Sequence, residues 1–281
     1  MGRQRAGRRV TRLFIFGLGY AAARIADAVR ARSGVVTATG QSGDIAFDDA
    51  DAVRAGLATA THVLSSVPPD EGDPVLDRYG DLLGDRWLGY LSSTGVYGDA
   101  GGAWVDESSA VRGRRANRNA ADARWLARRA RVFRLPGIYG PGRSPIDRLR
   151  AGHAHRTGLT DQVFSRIHVD DLATGVIAGF DAPAGAYNLS DDVPASQDDV
   201  VTYAARLIGV PPPPLVSLDD LSPMARAFYA ENRRVANGKA QRVLGWRPRY
   251  ADYRLGLRAV SATTSPTIAS AAPAAASSDQ R

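Results

Sequence analysis

The stretch RLFIFGLGYAAARI, residues 12–25, decides the fold of this chain. Its first part, Arg12–Phe16, is a short apolar run of the kind that forms a buried parallel strand. Two glycines follow, and residues 21–32 then have the apolar spacing of a helix. Strand, glycine loop and helix in this order are the context that the G-x-G-x-x-G/A motif requires.

Each small residue of the loop has a physical task. Gly17 permits the tight turn, Gly19 lets a pyrophosphate approach the backbone, and Ala22 lets the helix pack closely on the strand. The helix N-terminus offers free N–H groups and a positive dipole to the phosphates. A glycine turn without a ligand is the alternative. We predict that a dinucleotide binds at the loop residues Gly17, Leu18, Gly19, Tyr20, Ala21 and Ala22.

The ribose contact of this motif is missing. An acid usually stands about 20 residues after the loop, where it holds the ribose 2′-OH, but residues 35–43 contain no acid. The hydroxyls of Thr39 and Ser42 could instead donate to a 2′-phosphate, which favours NADP slightly over NAD. Phe47 and Asp48 are expected near the adenine, although Asp48 could equally cap the helix that follows it.

The same stretch has a second interpretation as a secretory signal. Basic residues precede the apolar residues 13–23, and Arg8 with Arg9 faintly suggests a twin-arginine signal. We favour the strand because the glycines have the motif spacing and the helical pattern continues beyond Ala23. On this interpretation we expect a cytoplasmic protein.

Composition narrows the functional classes. The chain has 281 residues and no cysteine, which excludes disulfide frameworks, cysteine-ligated metals and thiol nucleophiles. Its four scattered histidines predict no metal site. The net charge is +7, but five arginines and no acid fall in the first 12 residues, and no basic stripe with aromatic residues indicates nucleic acid. No apolar run approaches the ~20 residues that a membrane-spanning helix needs.

Beyond the loop, strand and helix patterns alternate with short links. Strands are predicted at 35–39, 44–48, 61–66, 88–93 and 131–135, and helices at 49–57, 74–83 and 117–130. This alternation predicts an α/β fold, a Rossmann-like doubly wound parallel sheet with a smaller C-terminal substrate lobe. The carboxyl ends of all strands then meet at one edge, where ligands bind.

The chain is predicted to have four parts. Residues 1–10 form a basic flexible N-terminus, 11–150 an NAD(P)-binding domain, 151–260 a smaller lobe interleaved with that domain, and 261–281 a disordered tail. The tail has one bulky apolar side chain, Ile268, which is too little to offset the entropy of ordering it.

Three later segments complete the pattern. SSTGVYG at 92–98 and RLPGIYGPGR at 134–143 each overlap the end of a predicted strand, and RIHVDDLA lies at 166–173. Together with the glycine loop, they resemble the extended short-chain dehydrogenase/reductase superfamily, in its NAD-dependent epimerase/dehydratase family. The resemblance runs from about residue 11 to about residue 257.

The resemblance implies roles for individual residues. Ser93 would polarise a carbonyl or alcohol of the substrate, with Thr94 as the alternative. Tyr139 and Arg143 would lie toward the substrate cleft. Further cofactor contacts are expected from Ser66, Val67 and Pro68 in the loop over the cofactor, from Ser92, and from Pro136, Gly137 and Ile138 near the nicotinamide.

The chain departs from the family at its catalytic pair, Tyr-x-x-x-Lys. The tyrosine should fall where the sequence reads 117–122, yet no tyrosine occurs between Tyr97 and Tyr139. Lys239 is the single lysine, and four positions before it stands Val235. The chain therefore resembles the atypical branch of the superfamily. The glycine loop departs too, because the family usually has G-x-x-G-x-x-G.

Replacements for the pair can be named from the sequence. Tyr97 is the best spare acid or base by position and Tyr139 the second, while Arg118, predicted at the substrate, could supply the cation. Each has a structural alternative: Tyr97 as a packing residue and Arg118 as a solvated helix residue. His168 is expected to be structural, next to acids that begin a helix.

Three functions follow. The first is an NAD(P)-binding oxidoreductase that acts on a hydroxyl or carbonyl of a small substrate, for example a sugar-like or nucleotide-linked molecule. The second is a non-catalytic NAD(P)-binding sensor or binding module, and the third a nucleotide-sugar epimerase or dehydratase with recycled NAD. The expected partner is a small molecule, with no nucleic acid, membrane or metal. The sequence does not indicate the oligomeric state.

Overall fold

The apolar run after Arg12 forms the first strand, β1 (Arg12–Phe16), and four of its five side chains are buried. The computed structural model of the protein describes residues 10–264. β1 lies inside a parallel sheet between β2 (Val35–Ala38) and β3 (His62–Ser65). The interpretation of residues 13–16 as a buried strand is therefore confirmed.

The central sheet has six strands, all parallel. The other three are β4 (Trp87–Ser93), β6 (Arg131–Leu135) and β10 (Gly185–Asn188), and the order is β10-β6-β4-β3-β1-β2. The chain winds from β1 outward to β2 and then returns to the other side of β1 at β3. A crevice opens at such a reversal, and the predicted doubly wound Rossmann-like sheet is confirmed.

The strand predicted at 44–48 is wrong. Residues 40–45 fold back on the end of β2, and only a single bridge joins Ile45 to Thr39. The carboxylate of Asp44 accepts a hydrogen bond from the Ala38 amide at 2.8 Å, and the Asp44 amide donates to the Ala38 carbonyl. Because these bonds close a tight turn, β2 stays the outermost strand of the sheet.

Helices cover both faces of this sheet. On one face, Ile25 of α1 (Tyr20–Arg30) and Val176 of α6 (Val169–Ala178) are buried in the same apolar cluster. The other face is covered by α2 (Ala50–Thr59), α3 (Pro74–Tyr79) and α4 (Ala116–Ala127).

The remaining elements lie mostly in a smaller lobe beside the carboxyl edge of the sheet, but the helix that contains Ala240 packs in the apolar cluster of α1 and α6 on the sheet. They are the strands β5 (Trp104–Val105), β7 (Gly137–Tyr139), β8 (Val163–Phe164), β9 (Arg166–His168), β11 (Ala195–Ser196) and β12 (Arg234–Val235), and the helices α5 (Pro145–Arg150), α7 (Gln197–Leu207), α8 (Pro223–Phe228), α9 (Gly238–Leu244) and α10 (Tyr253–Thr264). Their short strands pair as β7 with β9, β8 with β11 and β5 with β12.

The two halves of the chain are interleaved, since α6 and β10 come from the second half and complete the central sheet layer. Helix α10 reaches Thr264, so residues 261–264 are helical where a disordered tail was predicted. The rest of that tail, 265–281, and residues 1–9 of the predicted flexible N-terminus lie outside the described residues.

Candidate functional site

The glycine loop joins β1 to α1 at the reversal point of the sheet. Gly17 has a φ of +82°, and a Cβ there would stand 3.1 Å from Val67 Cγ2 and 3.2 Å from Ser66 Oγ. The Ser66 hydroxyl donates a hydrogen bond to the Gly17 carbonyl. Glycine is therefore required at position 17, and the segment after β3 holds the loop in place.

Gly19 provides the open cradle that a pyrophosphate requires. A Cβ built on Gly19 meets no atom within 4 Å, so the backbone is approachable there. Helix α1 begins at Tyr20 with no side-chain cap and no acid in its first turn, which leaves its first N–H groups free. Ala22 is buried against the sheet. These residues fit a bound dinucleotide phosphate.

Thr39 has a different role from the one predicted. It is 0% exposed, and its hydroxyl accepts a hydrogen bond from the Gly17 amide at 3.1 Å. Its carbonyl accepts from the Leu18 amide at 2.9 Å. Thr39 and Leu18 therefore shape the loop, and the Thr39 hydroxyl does not reach a 2′-phosphate. Ser42 is exposed on the turn beyond β2.

Of the two residues predicted near the adenine, Phe47 is half-buried and Asp48 is exposed. Phe47 packs on the rings of Phe16 and Tyr79, with centroids 6.1 and 5.5 Å away. Asp48 is exposed, and it does not cap α2, because Asp49 accepts the capping bond from the Ala52 amide. Of the residues after β3, Val67 is half-buried and Pro68 exposed at the same edge of the sheet.

A cavity of about 930 Å³ adjoins this edge, between the sheet and the smaller lobe. Ser93, the last residue of β4, lines it, and the Ser93 Oγ accepts a hydrogen bond from the Gly95 amide at 3.1 Å. Thr94 lines it as well but is buried. The cavity wall also brings together the predicted residues Pro136, Gly137, Ile138, Tyr139, Arg118 and Arg143.

Tyr97 does not belong to this site. Its side chain is buried in the core, its hydroxyl donates to Asn188 Oδ1 at 2.7 Å, and the Arg134 guanidinium donates to it at 3.1 Å. Burial raises the pKa of the Tyr97 phenol although the neighbouring Arg134 lowers it. This burial and these hydrogen bonds do not support Tyr97 as the acid or base, and they favour its packing alternative.

Helix α4 contains residues 117–122, where the resemblance predicted the catalytic tyrosine of the family. Arg118 of α4 faces the cavity, and Asp122, one turn later, is buried. Asp122 forms an ion pair with Arg134 of β6, with 2.7 Å between Oδ1 and Nη2, and the exposed fractions are 1% and 3%. The Ser92 hydroxyl donates to Asp122 at 2.7 Å. The Ser92 hydroxyl is therefore engaged by Asp122, whereas the sequence predicted a contact between Ser92 and the cofactor.

Sequence reasoning missed the Asp122–Arg134 pair. The signal was present as one charged residue in each of two apolar patterns, Arg134 in the strand RVFRL and Asp122 on the buried side of α4. Two isolated charges of opposite sign on adjacent buried elements indicate a buried ion pair, because an unpaired buried charge is costly.

Tyr139 lines the cavity with its ring but is poorly suited to proton transfer. Its hydroxyl is buried and has no hydrogen-bond partner among the described residues, and its ring meets the His168 ring edge-on at 5.3 Å. Burial raises the pKa of the Tyr139 phenol, and the nearby Asp191 raises it further. Tyr139 therefore forms part of the cavity wall and is not suited to donate a proton.

Tyr20 links the glycine loop to the cavity. Its hydroxyl donates to the Pro141 carbonyl at 3.1 Å, and the Arg143 guanidinium lies 5.7 Å from the centre of its ring. Arg143 therefore stands at the junction between the pyrophosphate cradle and the cavity. Further arginines of the wall were missed from the sequence: Arg114, Arg115, Arg148, Arg166 and Arg233.

Two negative findings apply to residues 10–264. No helix there is long and apolar enough to cross a membrane. No group of three or more histidine or acidic side chains there could hold a metal ion.

Known proteins share this architecture. A solved structure of a protein of unknown function from Silicibacter pomeroyi is 41% identical, covers 89% of this chain and 98% of its own, and has a TM-score of 0.80. A human epimerase family protein solved with NADPH is 17% identical over 89% of this chain and 99% of its own, with a TM-score of 0.71. A dTDP-glucose 4,6-dehydratase from Bacillus anthracis, solved with NAD, is 14% identical over 89% and 95%, with a TM-score of 0.72.

The chain belongs to the same family as the Silicibacter protein. It shares its fold with the epimerase family protein and the dehydratase, so the fold that the resemblance implied is confirmed. No protein-family model matches the sequence. A 3-diazoavenalumate denitrifying reductase from a Streptomyces species is 30% identical over 138 residues, so the match spans 45% of this chain and 45% of that relative.

Proposed function

We propose that the protein is an NAD(P)-dependent oxidoreductase that acts on a carbonyl or hydroxyl group of a small substrate. The observation that carries this proposal is the open backbone at Gly19, at the reversal point of the sheet and next to a cavity into which Ser93 faces. Similarity to a reductase, and neighbours solved with NAD and NADPH, support it.

The chain's own residues would hold the cofactor in three places. The free N–H groups at the start of α1, beside Gly19, would bind the pyrophosphate. Val67 and Pro68 would lie over the adenosine half, and Pro136 with Ile138 would hold the nicotinamide against the cavity. When bound, the dinucleotide supplies or accepts the hydride.

Ser93 would orient the reacting oxygen. Its hydroxyl already accepts from the Gly95 amide and can donate its own proton in a hydrogen bond to a substrate carbonyl. In the reducing direction the substrate carbon gains a hydride and its oxygen gains a proton from water. Arg118 can stabilise negative charge on that oxygen but does not give up a proton, because a guanidinium stays protonated in proteins.

The cofactor preference would be NADP rather than NAD. Residues 35–43 contain no acid to bind the ribose hydroxyls, and the Asp44 carboxylate that follows accepts a hydrogen bond from the Ala38 amide. Of the two hydroxyls that could donate to a 2′-phosphate, that of Ser42 is exposed and that of Thr39 is not. Ser42 therefore remains the candidate contact.

A second function is favoured by one observation. No tyrosine stands at 117–122, where the family's tyrosine is expected, so the usual proton donor is missing. A non-catalytic NAD(P)-binding sensor would tolerate this loss. Cofactor binding without turnover across a substrate screen would identify the sensor.

The test begins with titration of NADH and NADPH into the full chain by calorimetry. Gly19→Val should abolish binding of both, because the side chain would occupy the space of the pyrophosphate, and Gly19→Ala should weaken it less. The melting temperature should change little, since no protein atom lies within 4 Å of the added Cβ. Unchanged affinity in Gly19→Val would remove the cofactor site.

Turnover is then followed by the absorbance of reduced nicotinamide in a screen of carbonyl compounds and alcohols. Ser93→Ala should lower the rate roughly 100-fold at unchanged cofactor affinity. Ser217→Ala is the matched control, because Ser217 caps a short helix in the same way at an exposed site away from the cavity. Equal rates for the two variants would make Ser93 a structural cap.

A further inference from the structure

We infer that the substrate of this cavity is an organic anion, held by the guanidinium groups of Arg115, Arg118 and Arg166. The inference rests on the proposed function in that it names the substrate class of the same site. It is carried by a separate observation: the cavity wall contains positive charges that no described carboxylate neutralises.

The acids of the wall are already engaged. The wall has seven arginines but only two acids, Asp147 and Glu231. Glu231 forms ion pairs at 2.6 Å with both Arg114 and Arg233. Asp147 closes the capping box of α5, where its carboxylate accepts from the amide and the hydroxyl of Ser144. Neither acid forms an ion pair with Arg115, Arg118 or Arg166 among the described residues.

Arg115 and Arg118 have no counter-ion. Among residues 10–264, no carboxylate oxygen lies within 4.0 Å of either guanidinium. Both stand at the beginning of α4, whose first turn contains no acid. A cation in such a position opposes the helix dipole and is unfavourable. A bound anion would turn this unfavourable arrangement into a favourable one.

The loop before α4 holds these arginines next to Ser93. The amides of Arg112 and Gly113 both donate to the Val96 carbonyl at 2.8 Å. A Cβ on Gly113 would stand 2.2 Å from the Gly95 carbonyl oxygen, so the loop lies directly on the turn that follows Ser93. The anion would therefore bind close to the hydroxyl that orients the reacting group.

Arg166 provides independent evidence that the ligand of this cavity is an anion. It is 8% exposed, lines the cavity from β9, and has no carboxylate oxygen within 4.0 Å in the described part of the chain. Its three hydrogen bonds go to neutral acceptors, the carbonyls of Phe164 and Ala195 and the Gln197 side chain. A guanidinium has five N–H donors, so two remain for a ligand.

Asp191 is the acid that acts most strongly on the Arg166 guanidinium, but the two form no ion pair within 4.0 Å. Both carboxyl oxygens of Asp191 lack a hydrogen-bond partner among the described residues, and burial raises the pKa of this carboxyl well above its usual range although Arg166 lowers it. A buried guanidinium without a counter-ion is costly, so a ligand carboxylate or phosphate would stabilise it.

The rest of the wall fits an apolar ligand body. The rings of Phe164 and Phe228 stack at 4.5 Å, and Val200 and Leu257 line the same cavity. Planar carboxylates and phosphates accept paired hydrogen bonds from guanidinium groups. The cavity therefore suits a molecule with a carboxylate or phosphate at one end and an apolar or aromatic part at the other.

The test uses three small probes of similar size: benzoate, phenyl phosphate and the neutral benzyl alcohol. Each is titrated calorimetrically into the full chain, both without cofactor and with saturating NADPH. We expect an anion to bind at least tenfold more tightly than benzyl alcohol, and its affinity to fall at least tenfold in Arg118→Gln and in Arg115→Gln. Arg124→Gln, on the same helix but paired with Asp77 at 2.6 Å, is the matched control and should bind as the parent does.

The outcomes separate the inference from the proposed function. Tighter binding of benzoate would identify a carboxylate site, and tighter binding of phenyl phosphate a phosphate site; either supports the inference. No preference for an anion under both conditions, or an equal loss in Arg124→Gln, would overturn it. Anion binding in a protein that takes up neither NADH nor NADPH would refute the proposed function and leave the anion site standing.

Discussion

Ser93 and Tyr97 stand on one turn but face different surroundings. The turn Thr94–Tyr97 is a 3-10 helix with three residues per turn, so side chains four positions apart are rotated by about a third of a turn. Ser93 faces the cavity, whereas Tyr97 points to Asn188 and Arg134 in the core. Hydroxyl chemistry in this segment can therefore come from Ser93 and not from Tyr97.

His168 is a structural residue whose protonation should destabilise the fold. Its Nδ1 accepts the Asp170 amide at the start of α6, which requires the neutral ring. Burial lowers the pKa of His168 to about 4, with Arg24 and Arg249 adding to the effect and Asp170 opposing it. The unfolded chain, whose histidine has a pKa near 6.5, binds the proton more tightly, so stability is lost as the pH falls from about 6.5 toward 4.

We expect His168→Asn to remove this dependence, because asparagine also caps helices but does not titrate. Between pH 7 and pH 4.5 the parent should lose about 2–3 kcal/mol of unfolding free energy relative to the variant. Urea unfolding of both proteins at the two pH values measures the difference. Parallel losses in the two proteins would contradict the role assigned to His168.

At the scale of elements, α4 combines a functional face and a structural face. Arg118 faces the cavity while Asp122, one turn on, pairs with Arg134 of β6 beneath the helix. Asp122, on the buried side, fixes the helix to the sheet, and Arg118 places a cation at the cavity wall.

Asp122→Ala should cost about 3–5 kcal/mol of unfolding free energy, because it leaves the Arg134 charge buried without its partner. Arg124→Ala on the same helix breaks a half-exposed pair with Asp77 and should cost less than about 1 kcal/mol. Urea denaturation at neutral pH compares the two variants. A similar small cost for both would show that the buried pair does not stabilise α4.

At the scale of the whole molecule, the second half of the chain completes the first. Strand β10 pairs with β6, and α6 covers the face that α1 shares. The Trp87 indole donates to the Gly179 carbonyl at 3.0 Å, and Arg131 donates to the Ala182 carbonyl. The boundary predicted near residue 150 therefore separates two regions of sequence that depend on one another.

We expect a fragment of residues 10–150 to lack cooperative folding, because β6 would become an exposed edge and Phe133 would lose its cover. The fragment should show a broad urea transition and poor dispersion in its NMR spectrum, whereas residues 10–264 should unfold in one sharp transition. A well-dispersed spectrum and a cooperative transition for the fragment would indicate that residues 10–150 form an independent domain.

The parallel sheet and the glycine loop could be predicted from the sequence, because they depend on the order of neighbouring residues, as in the apolar run before Gly17. The strand predicted at 44–48 failed because the hydrogen bond from the Ala38 amide to Asp44 outweighs a weak strand pattern.

Only the tertiary structure decided which charges are paired and which hydroxyls face the cavity. Thr39 and Ser92 looked available for a cofactor, but contacts with Gly17 and Asp122 occupy them. Arg118 was predicted at the substrate and Arg166 was not, but only the fold placed both on one cavity wall, without a carboxylate partner among the described residues. The physical reason is that the energy of a polar group depends on its burial and its partners, and those partners lie far away along the chain.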